Sequence, residues 1–268
     1  MMGSSKIEHK LPLQVLEELA LGQKPTIVMS EGHDPRIISG AIAAHNSGIC
    51  QIALLGNQIV IKAECKSLGL SLPTDINIID PKKSNLLPEF ESEYLHLRKK
   101  KGGSAEEARV KVKEPLYFAA LMVRLGYATG TVGGAVETTS NVVRAAIQII
   151  GKSSDANLIS SCFLMYPTSD YPMVYSDCGL VIDPNEEELA SIAEMAAQSC
   201  KDLLQTEPRI AMLSFSTKGS ARHSMVSKVV KATKIVQSKI LILKLTVNYN
   251  LMQLYLHKLL SLKLKNPL

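Results

Sequence analysis

Short apolar runs alternate with stretches in which apolar residues recur every three or four positions. Leu13, Val15, Leu16 and Leu19 keep helical spacing and give way at Gly22, and Thr26-Ile27-Val28-Met29 follows as a short strand. That strand runs into Glu31-Gly32-His33-Asp34-Pro35, where Pro35 opens a helix that lasts to about Gly48. A second strand over 51 to 55, a helix over 58 to 68 and a third strand over 76 to 80 complete a βαβαβ order. The order predicts a right-handed, doubly wound parallel sheet, with ligands beyond the carboxyl ends of its strands.

A polar helix over 88 to 101 ends in Leu97-Arg98-Lys99-Lys100-Lys101-Gly102-Gly103. Four cations there complement the helix dipole, and they serve equally as one wall of an anion cleft. Ser104 caps the next helix and Pro115 opens another, which carries Tyr117, Phe118, Leu121, Met122 and Leu125 toward the core. The chain then reaches the stretch around which the rest is organised. Residues 128 to 132 read as a buried strand, Gly133-Gly134 as a sharp turn, and Thr138, Thr139, Ser140 and Asn141 are all competent helix caps. Val142, Val143, Ala146, Ile147 and Ile150 form the apolar face of that helix, which Gly151 closes. A strand, a glycine turn and a helix start point unpaired amides and a positive dipole end at an anion, with Arg144 on the first turn to close on it. Spacing alone allows the plainer reading of a packing turn and a solvated arginine.

Beyond Gly151 the pattern gives a strand over 158 to 164, a loop over 167 to 172, and a strand from Met173 that Asp177-Cys178-Gly179 interrupts. Asn185 and three glutamates open a long helix to about Leu204, and a strand over 209 to 214 meets Ser216-Thr217-Lys218-Gly219-Ser220 before a helix over 224 to 236. That hydroxyl- and glycine-rich loop is a second candidate phosphate cradle, with a capped, solvated loop as the alternative.

Composition narrows the class. Among 268 residues 46% are hydrophobic and 4% aromatic, with no Trp, which fits an α/β protein with a substantial core. Five scattered cysteines without a C-x-x-C pair indicate neither a disulfide framework nor a zinc site, and the polar start of the chain reads as cytoplasmic. No window reaches the roughly 18 consecutive apolar residues of a membrane span. The net charge of +5 is unevenly placed: no Asp or Glu follows Glu207, while 11 of the 30 Lys and Arg do, which leaves 19 basic against 25 acidic residues before that point. A basic tail is ordinarily a nucleic-acid or membrane patch; here neither partner is expected, for reasons given below.

With these pieces placed, several ordered blocks make the chain similar to the phosphate acetyl/butyryl transferase family. They are V-M-S-E-G-H-D-P-R from Val28, L-R-K-K-K-G from Leu97, E-P-L-Y-F-A-A-L-M-V from Glu114, G-G-A-V-E-T-T-S-N-V-V-R from Gly133, Y-S-D-C-G from Tyr175 and A-M-L-S-F-S-T-K-G-S-A from Ala211. The resemblance covers about residues 13 to 239. It implies two α/β/α domains of isocitrate/isopropylmalate dehydrogenase-like fold with the active site in a cleft between them, here over 1–155 and an incomplete 156–268. It implies acetyl transfer between acetyl-CoA and inorganic phosphate, with coenzyme A as substrate, no bound cofactor or metal, and a homodimer. Butyryl transfer and a non-catalytic acetyl-CoA or acetyl phosphate module are the alternatives. The family's two cleft arginines fall on Arg98 and Arg144; Gly133, Gly134, Thr138 and Thr139, and the loop Ser216, Thr217, Lys218, Gly219 and Ser220, fall on its substrate-binding segments. Glu137, where a neutral residue or histidine is expected, and Ala145, where a proline is common, depart from the pattern. An acid there opposes anion binding unless it pairs with a cation or points away.

The family's catalytic Ser-Arg pair and following Asp are expected beyond the end of this chain, so that no catalytic residue is assigned within it. Residues 240 to 268 carry 11 leucines and no Ala, Gly, Asp or Glu, a composition foreign to what precedes them. One adenine restored after Ser238 lets permitted codons read K-N-P-D-F-E-I-D-G-E-L-Q-L-D-A-A-L, a stretch of the family type. The tail is therefore expected to be out of frame and to lack packing partners. The rival is a basic, leucine-rich helix at a membrane surface.

Overall fold

The computed structural model describes residues 12–154, 156–168, 171–216, 221–239 and 244–249. Leu13–Lys152 form one compact unit, and the described residues from Ser153 onward form a second.

The first unit opens with helix α1 (Pro12–Gln23) and strand β1 (Thr26–Met29), followed by α2 (Pro35–Ser47), β2 (Gln51–Leu55), α3 (Gln58–Ser67) and β3 (Asn77–Ile79). Then come α4 (Leu87–Arg98), a 3-10 turn (Lys99–Lys101), α5 (Ala105–Lys111), α6 (Pro115–Arg124), β4 (Gly130–Val132) and α7 (Thr139–Ile149). The strands pair in parallel in the order β3-β2-β1-β4. Alternation along them decides which helices cover which face. Val28, Ala53 and Leu55 join Phe90, Tyr94, Phe118, Leu121 and Ile149 from α4, α6 and α7. Met29, Ile52 and Leu54 join Ile38, Ile42 and Ile61 from α2 and α3. The Phe90 and Phe118 rings pack 4.7 Å apart between centroids, and each large side chain fully buried here contributes roughly 1.5–3 kcal/mol.

Two expectations change at the central stretch. β4 is the outer strand, and only Ala128 before it is buried, with Thr131 and Val132 exposed. The α7 residues that enter the core are Ala145 and Ile149, four apart, while Ile147 and Ile150 face solvent. Ala145, at 2% exposed, belongs to the core that α4, α6 and the sheet share.

The second unit holds β5 (Cys162–Thr168), β6 (Tyr171–Ser176), α8 (Glu186–Leu204), β7 (Arg209–Leu213), α9 (Ser224–Lys239) and β8 (Lys244–Tyr249). β5 and β6 form an antiparallel hairpin whose strands take in Pro167 and Pro172, so the segment expected as a loop is mostly strand. Pairing begins only at Cys162 rather than at Leu158. Asn185 and Glu188 close a reciprocal capping box at the start of α8. Ala190, Ala193, Met212, Val229, Ala232 and Val236 form this unit's core.

β8 lies in the tail expected to be without partners, yet it pairs in parallel with β7, Ile210 opposite Leu245 and Met212 opposite Val247. Lys-Leu-Thr-Val-Asn-Tyr has the period-two, β-branched pattern of a strand and follows a helix long enough to cross back, which suffices for a β-α-β unit. The rest of the tail, 240–243 and 250–268, lies outside the described residues.

Candidate functional site

The sheet order places a topological switch at β1: from it the chain moves to β2 on one side and returns to β4 on the other, leaving a crevice beyond the carboxyl ends of β1 and β4. A cavity of about 280 Å³ occupies that place. Ser30, Glu31 and His33 line it from the end of β1, Val136 and Glu137 from the end of β4, Asn141 and Arg144 from α7, and Lys111, Glu114 and Tyr117 from α5 and α6.

The loop after β4 differs from the sequence expectation in one decisive way. Its amides are not open to an anion, because the Glu31 carboxylate already takes them. Gly134 and Ala135 donate to Oε2, both at 2.8 Å, and Val136 and Glu137 donate to Oε1 at 2.9 and 2.7 Å. Glu31 is 3% exposed. Burial raises its pKa, and the four amides together outweigh burial, so the carboxyl sits below its ordinary range. The two strand ends approach closely: a Cβ on Gly133 would meet Ser30 Oγ at 2.5 Å, and one on Gly32 would meet the Leu55 carbonyl oxygen at 2.7 Å. These glycines are needed for clearance, and Gly134, at φ 102°, for the turn itself.

Helix α7 is capped by Thr138, whose Oγ1 accepts the Asn141 amide at 3.3 Å. Thr139 is therefore the first helical residue, and Arg144 stands on the second turn, one turn further in than expected. Its Nη1 donates to Asn141 Oδ1 at 3.5 Å, while Asn141 Nδ2 donates to Glu137 Oε2 at 2.9 Å. Among the described residues Glu137 thus forms no ion pair with a cation, and it stays on the cavity lining, where it shares Asn141 with Arg144. Lys111 Nζ pairs with Glu114 at 2.9 and 3.1 Å and lies 5.0 Å from the Tyr117 ring centre. The Glu114 hydrogen bond raises the Lys111 pKa, so it stays protonated near neutrality.

Arg98 does not line this cavity. It ends α4, and its Nε is buried without a hydrogen-bond partner among the described residues. A Cβ on Gly103 would meet the Arg98 Cβ at 2.6 Å, so that glycine is what lets the chain double back over the arginine stem. In the second unit Ser216 is 1% exposed, and its Oγ accepts the Ala221 amide at 3.0 Å. Thr217, Lys218, Gly219 and Ser220 lie outside the described residues. The structure therefore brings Arg144 together with His33, Lys111, Asn141 and Glu137. Arg98, in the same unit, is not among that cavity's lining residues.

A second carboxylate knot went unread in the sequence. Asp177 Oδ1 accepts from the Gly179 amide at 2.6 Å, the Leu180 amide at 2.9 Å and Ser161 Oγ at 2.7 Å, and Oδ2 accepts from the Val181 amide at 3.2 Å. Burial raises the Asp177 pKa, and the Gly179 and Leu180 amides with Ser161 lower it far more. The Asp-Cys-Gly interruption was its visible trace. For Glu31 the only signal was its place within Glu-Gly-His-Asp-Pro at a strand end. Among the described residues no group of three or more His, Cys, Asp or Glu is placed to hold a metal, and no helix is long and apolar enough to cross a membrane.

Comparison with known proteins adds a family. A family model described as phosphate acetyl/butaryl transferase matches residues 12–246 and so runs on past Lys239. The chain is 40% identical over 233 residues to a phosphate acetyltransferase of Thermoanaerobacterium thermosaccharolyticum, covering 85% of this chain and 70% of that protein. It is 39% identical over 232 residues to one of Paracoccus denitrificans, covering 85% and 69%. Its fold matches the crystal structure of a phosphotransacetylase from Streptococcus pyogenes with a TM-score of 0.81 at 32% identity, over 89% of this chain and 72% of that one.

Proposed function

The chain belongs to the phosphate acetyl/butyryl transferase family, and from that premise we propose that it serves acetyl transfer between acetyl-CoA and inorganic phosphate, with the phosphate held in the cavity beside Arg144. The observation that carries the assignment is the position of Arg144: a guanidinium near the start of a helix, in a crevice at the switch point of a parallel sheet, with Lys111 and His33 also among the lining residues. Starting from acetyl phosphate, the coenzyme A thiol gives up its proton, and the thiolate sulfur forms a bond to the carbonyl carbon as the bond from that carbon to the phosphate oxygen breaks. The phosphate leaves with that electron pair and gains negative charge. A guanidinium that offers two parallel N–H groups stabilises the gain, and does so most where water is scarce. Arg98, with its buried Nε lacking an acceptor, is proposed as a second anion contact outside this cavity, and the loop over 216 to 220 as a further contact with substrate.

The test is a titration with inorganic phosphate and an assay of acetyl-CoA formation from acetyl phosphate and coenzyme A. Arg144→Ala should weaken phosphate binding by roughly 1.5 to 3 kcal/mol, the worth of a charge-assisted contact, and Arg98→Ala by less, since Arg98 does not line the cavity. Unchanged phosphate affinity in Arg144→Ala would remove the assignment of this cavity.

A further inference from the structure

We propose that Glu31 and Arg36 are positioning residues of this cavity, which fix the loop from Gly134 to Glu137 and thereby the start of the helix that carries Asn141 and Arg144. The inference rests on the reading of the cavity as the phosphate site. Glu31 holds the loop by its amides, two on each carboxylate oxygen. Arg36 holds the same loop by a carbonyl: its Nη2 donates to the Ala135 oxygen at 2.6 Å and to Asp34 Oδ2 at 2.7 Å, while its Nε donates to Asp34 Oδ1 at 2.9 Å. Asp34 in turn caps α2, accepting the Arg36 amide at 2.9 Å. The loop is therefore gripped from both sides by one short segment at the end of β1. The last gripped amide, that of Glu137, is followed at once by the Thr138 cap of α7. No slack separates the grip from the helix.

The charges make the proposal testable by sign. Glu31 and Glu137 both line the cavity and carry the same formal charge. The charge of Glu31 is met by four amides, whereas Glu137 accepts a single hydrogen bond among the described residues, from Asn141. A simple electrostatic view holds that neutralising either one favours an anion. Positioning requires the two to act in opposite directions. In Glu31→Gln, the new amide group turns its own N–H toward two of the loop's donors, the grip fails and Arg144 loses its place. In Glu137→Gln the loop stays held, and a repulsive charge is gone.

Calorimetric titration of the full chain with inorganic phosphate separates these views, on the wild type, Glu31→Gln, Glu137→Gln, Arg36→Lys and Arg144→Ala, each checked for folding by circular dichroism. Positioning predicts that Glu31→Gln weakens binding about tenfold or more, the loss of one charge-assisted contact, while Glu137→Gln tightens it. Arg36→Lys keeps the charge on an exposed side chain but gives up the fork that reaches Asp34 and Ala135 together, and should weaken binding severalfold. A purely structural role for Glu31 would lower the melting temperature and leave the affinity of folded protein unchanged. Affinity in Glu31→Gln equal to or tighter than wild type overturns the proposal. Should Glu31→Gln not fold, Arg36→Lys decides, and wild-type affinity there overturns it. Arg144→Ala tells the two claims apart: if it binds phosphate as the wild type does, the cavity assignment and this inference both fall. If it weakens binding while Glu31→Gln and Arg36→Lys do not, only the inference falls.

Discussion

Glu31 leaves β1 and ties down a loop that begins 103 residues later at Gly134, whereas Asp177 leaves β6 and ties down the three residues just beyond Cys178 together with Ser161. Both are carboxylates at the carboxyl end of a strand, both are largely shielded from water, and both collect backbone amides that would otherwise lack partners near a chain turn. The difference is reach. Asp177 shapes a turn local in sequence and anchors it to the neighbouring strand of its hairpin. Glu31 joins two strand ends across the switch point of a sheet, where α/β proteins place their ligands. A local knot fixes one turn; a distant one fixes the geometry of a cavity.

The largest expected effect separates the two by location. Glu31→Gln and Asp177→Asn should each cost about 1.5 to 3 kcal/mol, because each removes charge-assisted hydrogen bonds to backbone amides. Denaturant titration measures the loss, and amide hydrogen exchange locates it. Exchange should accelerate from Gly134 to Glu137 in the first variant and from Gly179 to Val181 in the second. Protection of the 134 to 137 amides in Glu31→Gln equal to wild type would break the comparison, since it would mean that the carboxylate is not what holds them.

A smaller effect follows from acid. Both carboxyls lie below their ordinary range when folded, Asp177 by the larger shift. A depressed carboxyl stabilises the fold above its unfolded value, roughly pH 4, and that stability drains away as pH falls through the folded value. The Glu31 grip should therefore release first on acidification, with the Asp177 turn persisting to lower pH. Melting temperatures followed downward from pH 6 check this: the early part of the fall should flatten in Glu31→Gln and persist in Asp177→Asn. The reverse order would contradict the assigned shifts.

What the sequence revealed follows the same division between local and distant. The elements of the first unit were legible, since Pro35, Asn57, Ser104, Pro115 and Thr138 start helices by interactions within a few residues. The βαβαβ order showed a doubly wound parallel sheet, and Val28 and Met29, like Leu55 and Leu54, do enter cores on its two faces. The glycine turn was read correctly as a strand end meeting a helix start. Its electrostatics were not legible: a row of free amides after Gly133 is a fair inference from 25 residues of sequence, and only the fold brings Glu31 to them. The buried face of α7 was misjudged for a related reason. Ala145 is small enough to read as neutral in a hydrophobic pattern, yet it is one of the two α7 residues buried in the core. The hairpin of β5 and β6 was hidden by Pro167 and Pro172, which read as loop residues although two-stranded edges tolerate them.

The central claim is that the amides after β4 belong to Glu31 and that phosphate belongs to Arg144. A crystal structure of the protein grown with inorganic phosphate tests it most directly. The account predicts an anion within hydrogen-bond distance of the Arg144 guanidinium, with the Glu31 carboxylate still accepting the amides of Gly134, Ala135, Val136 and Glu137. A phosphate seated on those four amides, with Glu31 displaced from them, would contradict it.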